Sequence, residues 1–283
     1  MQSVRDMAAR DGTQLRLTVW TPDGAPRALL VLVHGFWECA GRYEEWAARF
    51  TACGLAVYLH DQRGHGGSVG AGGAARAYDR FLDDVEDVAA LARREHPGCP
   101  LVLYGHSMGG NVVLNLLLRR DAARYCCAVV TSPWLRLTRN PPSPVVWLLA
   151  VWSWLFPRAK LHTRLTAADL TRDVEAVRAL REDGGFRGPF DMRLVLRVMA
   201  AGLYVLRRAD RLQTPLLALS AGRDQVVSAA ATARLAAAAP EGALVHFPQM
   251  YHELHTDPAR AEVFEAVRAF LARHVPMDNM TPD

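Results

Sequence analysis

Short, wholly apolar runs recur along this chain, and segments of helical periodicity fill the intervals between them. The runs fall at residues 28–33 (ALLVLV), 55–59, 101–104, 128–131, 216–220 and 244–247. A run without polar alternation marks a strand buried on both faces, as in a parallel sheet covered by helices. Helical patterns follow at 43–53, 79–94, 111–120, 229–239 and 258–274. In the second of these, Phe81, Val85, Val88 and Leu91 share one face, with acids early and Arg93-Arg94 late, as the helix dipole favours. Ahead of all this, residues 4–9 and 15–20 flank Asp11-Gly12, which predicts a β-hairpin. Alternating strands and helices predict an α/β fold with a mostly parallel central sheet.

One stretch breaks the alternation. Between about 133 and 212 no clear strand is legible. A proline-rich entry (Asn140-Pro141-Pro142-Ser143-Pro144) leads into an apolar run at 145–156, and helical patterns follow at 167–181 and 193–207. This predicts a core domain formed by 1–132 and 213–283, with 133–212 inserted as a helical lid. The run at 145–156 carries Trp147, Trp152 and Trp154, and a seven-residue step puts the first and last on one helix face. Two readings stand: a buried lid helix, or a face that lines an acyl tunnel or dips into a lipid interface, where tryptophan is favoured.

Composition narrows the class. The 283 residues are 51% hydrophobic and 22% charged, ordinary for a globular protein with a large core. The formal charge of +4 rests almost wholly on arginine, Lys160 being the single lysine, and no dense basic run suggests nucleic acid as a partner. Five cysteines, an odd number without metal or redox spacing, fit a reduced compartment. The N-terminus lacks the apolar core of a secretory signal, and the run at 145–156 is shorter than the roughly 20 residues of a membrane span. The expected location is the cytoplasm, with peripheral membrane contact through the lid as a further expectation.

The chemistry is announced by Gly105-His106-Ser107-Met108-Gly109, a Gly-x-Ser-x-Gly element with a strand before it and a helix after it. A serine on so sharp a turn needs small residues two positions to either side. The turn sets its hydroxyl at a helix N-terminus, where developing negative charge is favoured. Serine needs a base, and in this arrangement the chain order is serine, acid, histidine. Asp224 follows the strand at 216–220 and His252 follows the strand at 244–247, both at strand ends on the edge that carries Ser107. His252 is expected to take the serine proton and Asp224 to hold its tautomer. His255 and Asp257 compete for these roles. His-Glu-x-His is not the His-Glu-x-x-His of zinc proteases, so neither metal nor cofactor is expected. Backbone N–H groups of Met108 and Phe36, the latter in His34-Gly35-Phe36-Trp37, are the expected oxyanion donors.

At these residues the chain resembles the monoacylglycerol lipase and lysophospholipase family of α/β-hydrolases, also grouped with serine aminopeptidases. The likeness rests on residues 34–47 (HGFWECAGRYEEWA), on Asp61-Gln62-Arg63-Gly64-His65-Gly66-Gly67-Ser68, on Gly-His-Ser-Met-Gly-Gly and on Tyr251-His252-Glu253-Leu254. It implies catalytic Ser107, Asp224 and His252. It also implies that Glu38 and Arg42 lie where such enzymes hold the glycerol end of the substrate; an i,i+4 pair shaping the loop is the alternative. Arg63, His65 and Ser68 look like structural members of a loop beside the site. The expected activity is hydrolysis of lipid-like monoesters, most of all monoacylglycerols, through an acyl-enzyme on Ser107. Rivals keep the machinery with lysophospholipid, short ester or thioester, or take a peptide N-terminus, for which Glu175, Glu182 and Asp183 are available. The Gly-rich stretch 182–189 departs from the family pattern and leaves acyl preference open. Oligomeric state is not legible.

Overall fold

Hydrogen bonding assembles the apolar runs into one eight-stranded sheet in a computed structural model that describes residues 1–69, 77–156, 160–161, 165–182 and 190–275. The strands are β1 (Gln2–Ala8), β2 (Gln14–Trp20), β3 (Ala28–Val33), β4 (Leu55–His60), β5 (Leu101–His106), β6 (Cys127–Thr131), β9 (Leu216–Ala221) and β10 (Gly242–Phe247). Their order across the sheet is β1-β2-β4-β3-β5-β6-β9-β10. β1 and β2 form the expected antiparallel hairpin, closed by Gly12 at φ +83°, and β2 pairs antiparallel with β4. All pairings from β4 to β10 are parallel.

The two faces divide the strand residues by parity. Leu29, Val31, Leu103, Val130 and Ala218 join one core with α2 (Asp79–Glu95), α3 (Met108–Arg119), α7 (Met192–Arg208) and α8 (Ala229–Ala238). Leu30, Leu32, Tyr104, Val129 and Leu219 join the other with α1 (Glu44–Ala52) and α9 (Arg260–His274). Strands with two buried faces have no polar side to show, and this is why these runs read as uniformly apolar. β10 departs from that expectation. It is one of the two edge strands, and Leu244 is 41% exposed.

Between β6 and β9 lies the stretch expected to be helical. It contains α4 (Ser143–Leu155), α5 (Ala167–Leu170), α6 (Val174–Glu182) and α7, with the two-residue strands β7 (Lys160–Leu161) and β8 (Phe190–Asp191) paired antiparallel. So short a ladder leaves no periodicity in a sequence. The single helix expected over 167–181 is two, because Asp173 accepts a hydrogen bond from the Ala176 N–H at 2.9 Å and starts a new helix. Residues 183–189, most of the Gly-rich stretch, lie outside the described residues.

α7 is the part of this stretch that meets the core. Asn111 on α3 donates to the Val198 carbonyl at 3.0 Å and to the Trp134 carbonyl at 2.6 Å. A Cβ on Gly202 would lie 2.5 Å from the Leu135 carbonyl oxygen, so only glycine lets α7 press so close to that chain. α4 is the opposite case. Of its residues only Ser153 is buried, and Trp147 and Trp154 are 66% and 76% exposed. The buried-helix reading of 145–156 is therefore corrected: the run is apolar on every side, but little of the protein covers it.

Candidate active site

β5 ends at His106 and α3 begins at Met108, so Ser107 alone makes the turn between strand and helix. Its backbone sits at φ +51°, ψ −114°, a conformation costly for a residue with a side chain. Hydrogen bonds on both sides hold it. The Ser107 N–H donates to the Thr131 carbonyl at 3.0 Å, and the Ser107 carbonyl accepts from Trp134 and Asn111 N–H at 2.9 and 3.1 Å. The flanking glycines are obligatory. A Cβ at Gly109 would fall 2.0 Å from the Val33 carbonyl oxygen, and one at Gly105 would fall 2.6 Å from the Gly109 oxygen.

Ser107 Oγ lies 2.9 Å from His252 Nε2, and His252 Nδ1 lies 2.8 Å from Asp224 Oδ2. A carboxylate only accepts, so Nδ1 carries the ring proton and Nε2 is left to accept from the serine hydroxyl. The other oxygen of Asp224 accepts from the Val226 and Val227 N–H groups at 2.7 and 2.8 Å, which fixes the carboxylate in its loop. All three side chains are buried. Burial pulls the pKa of His252 down, but Asp224, aided by Glu253 and Glu38, more than offsets this and leaves it above the ordinary histidine value.

Ser107 and His252 open into a cavity of about 190 Å³ whose walls are mostly apolar, with Phe36, Trp134, Leu137, Leu170, Val195 and Val226 among them. Phe36 lies three residues beyond the end of β3 and lines the cavity with Ser107, and Met108, as the first residue of α3, has an N–H without a partner inside its helix. The wall residues come from five separate parts of the chain. No sequence spacing relates them, so sequence reasoning missed all of them but Phe36. The tryptophans of α4 are not among the residues that line the cavity.

Glu38 and Arg42 part company. Glu38 lines the cavity, yet its carboxylate accepts from Gly35 N–H at 2.5 Å and Tyr43 hydroxyl at 2.7 Å. Burial opposes its charge, but His106, Arg42 and the Tyr43 hydroxyl hold the carboxyl well below the usual range. Arg42 faces a second cavity, beside Cys39 and Leu180, and grips Glu253 through both carboxylate oxygens at 2.6 and 2.7 Å. Its contact with Glu38 is longer, 3.4 Å. Glu253 was visible in sequence only as the neighbour of His252.

Neither competitor reaches Ser107. His255 sits in a 3₁₀ turn (Leu254–Thr256) ahead of α9 rather than at the start of that helix, with its ring stacked on Tyr43 at 4.5 Å. Asp257 is bonded to Arg172 at 2.8 and 2.9 Å. Glu38, Glu253 and His255 bring possible ligand atoms within 4.8 Å of one another, but Arg42 already supplies the cation between the two carboxylates. Of the carboxylates expected for an amine-binding lid, Glu182 pairs with Arg178 at 3.0 Å, Glu175 is exposed, and Asp183 lies outside the described residues.

A serine on a strained strand-to-helix turn of a largely parallel sheet, followed in chain order by its aspartate and histidine, defines an α/β-hydrolase. Residues 24–259 match the Hydrolase_4 family, serine aminopeptidase S33, and the chain belongs to that family. It is 32% identical over 278 residues to a monoacylglycerol lipase of Mycolicibacterium smegmatis, covering 97% of this chain and 98% of the relative. To the human monoglyceride lipase it is 28% identical over 266 residues, 90% of this chain and 85% of that protein. Among solved structures, the monoacylglycerol lipase of Paleococcus ferrophilus superposes with a TM-score of 0.81 at 26% identity, over 92% of this chain and 99% of that one.

Proposed function

We propose that this enzyme hydrolyses monoacylglycerols through an acyl-enzyme on Ser107. The observation that carries the reading is the Ser107–His252–Asp224 chain of hydrogen bonds ending in an apolar cavity. A fatty acyl chain fits such walls, since each methylene taken out of water contributes about 0.8 kcal/mol.

His252 Nε2 accepts the hydroxyl proton as Ser107 Oγ attacks the ester carbonyl carbon. The carbonyl oxygen becomes an anion, held by the Met108 and Phe36 N–H groups. The acyl carbon–oxygen bond then breaks, and His252 returns the proton to the departing glycerol oxygen. A water molecule repeats the attack on the acyl-enzyme with His252 as base, and the fatty acid leaves. Asp224 holds the imidazole and stabilises its charged form throughout. Glu38 forms a polar end to the cavity near the head group, and Arg42 acts through Glu38 and Glu253 rather than by touching substrate.

The exposed face of α4 supports a contact with the lipid surface from which substrate is drawn. Among the described residues no helix is long and apolar enough to cross a membrane. The test is a rate comparison on 1-monooleoylglycerol, lysophosphatidylcholine, p-nitrophenyl acetate and an aminoacyl p-nitroanilide. The monoacylglycerol is expected to have the highest kcat/KM of the four. Preference for the anilide would move the activity to peptides, and preference for acetate would reduce it to a small-ester esterase.

A further inference from the structure

The loop 61–68, with its Asp-x-Arg-Gly-His-Gly-x-Ser pattern, supplies none of the cavity's lining residues, yet it is bonded to the chain beneath Ser107. The link is His34, wholly buried at the end of β3. The Gln62 N–H donates to His34 Nε2 at 2.8 Å. A backbone N–H can only donate, so Nε2 is an acceptor and the ring proton is on Nδ1. Nδ1 lies 2.6 Å from the Gly35 carbonyl oxygen, which can only accept. The Gln62 side chain adds a bond to the His34 carbonyl at 2.6 Å. On its other side Gly35 donates its N–H to Glu38. Both backbone groups of Gly35 are therefore held, and a Cβ there would lie 2.9 Å from Glu38 Oε2.

The Gly35 carbonyl and the Phe36 N–H belong to one planar trans peptide and point in opposite directions. Holding the carbonyl against His34, which is not among the cavity's lining residues, turns the N–H the other way, toward the cavity that Gly35 and Phe36 line. Burial keeps the imidazole neutral by lowering its pKa against the pull of Asp61 and Glu38, so the Nδ1–H form persists at working pH.

We infer that His34 is a positioning residue for catalysis: the Gln62 peptide selects its Nδ1–H tautomer, and that proton aims the Phe36 N–H at the oxyanion. The inference rests on Phe36 being an oxyanion donor, as the proposed mechanism has it. It gives the 61–68 loop a part in the reaction without contact with substrate.

The imidazole ¹⁵N spectrum of the wild-type enzyme tests the tautomer without any substitution. A pyrrole-type Nδ1 with a pyridine-type Nε2 is expected, and the Nε2–H form overturns the inference. His34→Asn retains a donor near the Nδ1 position, whereas His34→Gln does not. On a soluble short ester, His34→Gln is expected to lose about 10²–10³-fold in kcat, the scale of one missing oxyanion donor. Its KM should stay within about threefold, and His34→Asn should recover at least about tenfold of the loss. Equal losses in both variants, tracking a drop in Tm, would reduce His34 to packing. Should neither variant fold, the wild-type tautomer decides. Labelling with ¹³C′-glycine and ¹⁵N-phenylalanine reports the two Gly–Phe peptides, 35–36 and 185–186, told apart with Phe186→Leu. When an alkyl trifluoromethyl ketone adds to Ser107, the Phe36 amide should move downfield. An unmoved amide in the wild type refutes the oxyanion role itself; a shift that persists in His34→Gln refutes only the part given to His34.

Discussion

The Arg42 guanidinium holds both carboxylate oxygens of Glu253, the residue that follows His252, across 211 positions of sequence. The loop after β3 and the loop that carries His252 are thereby fastened to each other. Arg42 also reaches Glu38, so one cation serves two buried carboxylates. Removing it strands both. Arg42→Met is expected to cost about 3–5 kcal/mol of stability, the scale of a buried pair broken from one side. Urea denaturation measures this, and an unchanged midpoint would mean that protons or water replace the cation at little cost.

The pH profile follows from the base. His252 must be neutral to accept the serine proton, so kcat/KM rises with pH through its ionisation and then levels. Its pKa is raised, chiefly by Asp224 acting against burial, so the midpoint should lie above the ordinary histidine value of about 6.5. Asp224→Asn removes that source. The midpoint should then fall, and kcat should drop by about 10⁴-fold as the tautomer is lost. A midpoint that stays put in Asp224→Asn would assign the observed ionisation to another group.

Ser107 offers a paired test of strain. Ser107→Ala and Ser107→Gly both lack the nucleophile, and each should lose labelling by a fluorophosphonate and at least about 10³-fold in turnover. They differ in backbone freedom. At φ +51° alanine keeps a strain of about 1–3 kcal/mol that glycine sheds. Glycine's looser unfolded chain returns about 0.5–1 kcal/mol of that. Ser107→Gly should therefore melt higher than Ser107→Ala. Equal melting temperatures would show that the turn is not strained.

Val195 stands at the start of α7 and lines the cavity. Val195→Trp should shorten the space for an acyl chain. Displacing about three methylenes at 0.8 kcal/mol each would lower kcat/KM for a dodecanoyl ester by about fiftyfold while sparing acetate. Equal effects on both esters would mean that the chain runs elsewhere.

Trp147 and Trp154 lie outside the cavity, so Trp147→Ser with Trp154→Ser should leave soluble short and long esters unchanged. Binding to phosphatidylcholine vesicles and turnover of vesicle-borne monoacylglycerol should fall. Melting temperature should hold, given how exposed both rings are. A loss on soluble substrate alone would argue against an interface role.

What could be read in sequence, and what could not, follows from the range of the interactions. Ser107 was legible because its turn imposes glycine at fixed offsets, and Asp224 and His252 because strand ends are visible as the ends of apolar runs. The wall of the cavity was not, since Trp134, Leu170 and Val195 meet only when the inserted helices fold back. Arg42 was read as a partner of Glu38 because i,i+4 spacing is local, whereas its shorter contacts are with Glu253, far away in the chain. The apolarity of α4 was plain, but whether anything covered it was a question of tertiary contact.

α7 has a consequence for anyone who would rebuild this enzyme. β6 and β9 are adjacent and parallel, so the chain leaves the sheet at the Ser107 edge and must come back at the opposite edge. The 17 residues of α7, about 25 Å at 1.5 Å per residue, make that return journey while resting on α3. The inserted stretch 133–212 therefore divides in two: the part before α7 carries the exposed face of α4 and the cavity wall at Leu170, and α7 carries the crossover. A chimaera that takes a foreign cap up to Asp191 keeps the native crossover and the cover over Asn111. One that also exchanges α7 uncovers the helix that begins just after Ser107, and has to supply its own glycine at the point where Leu135 passes.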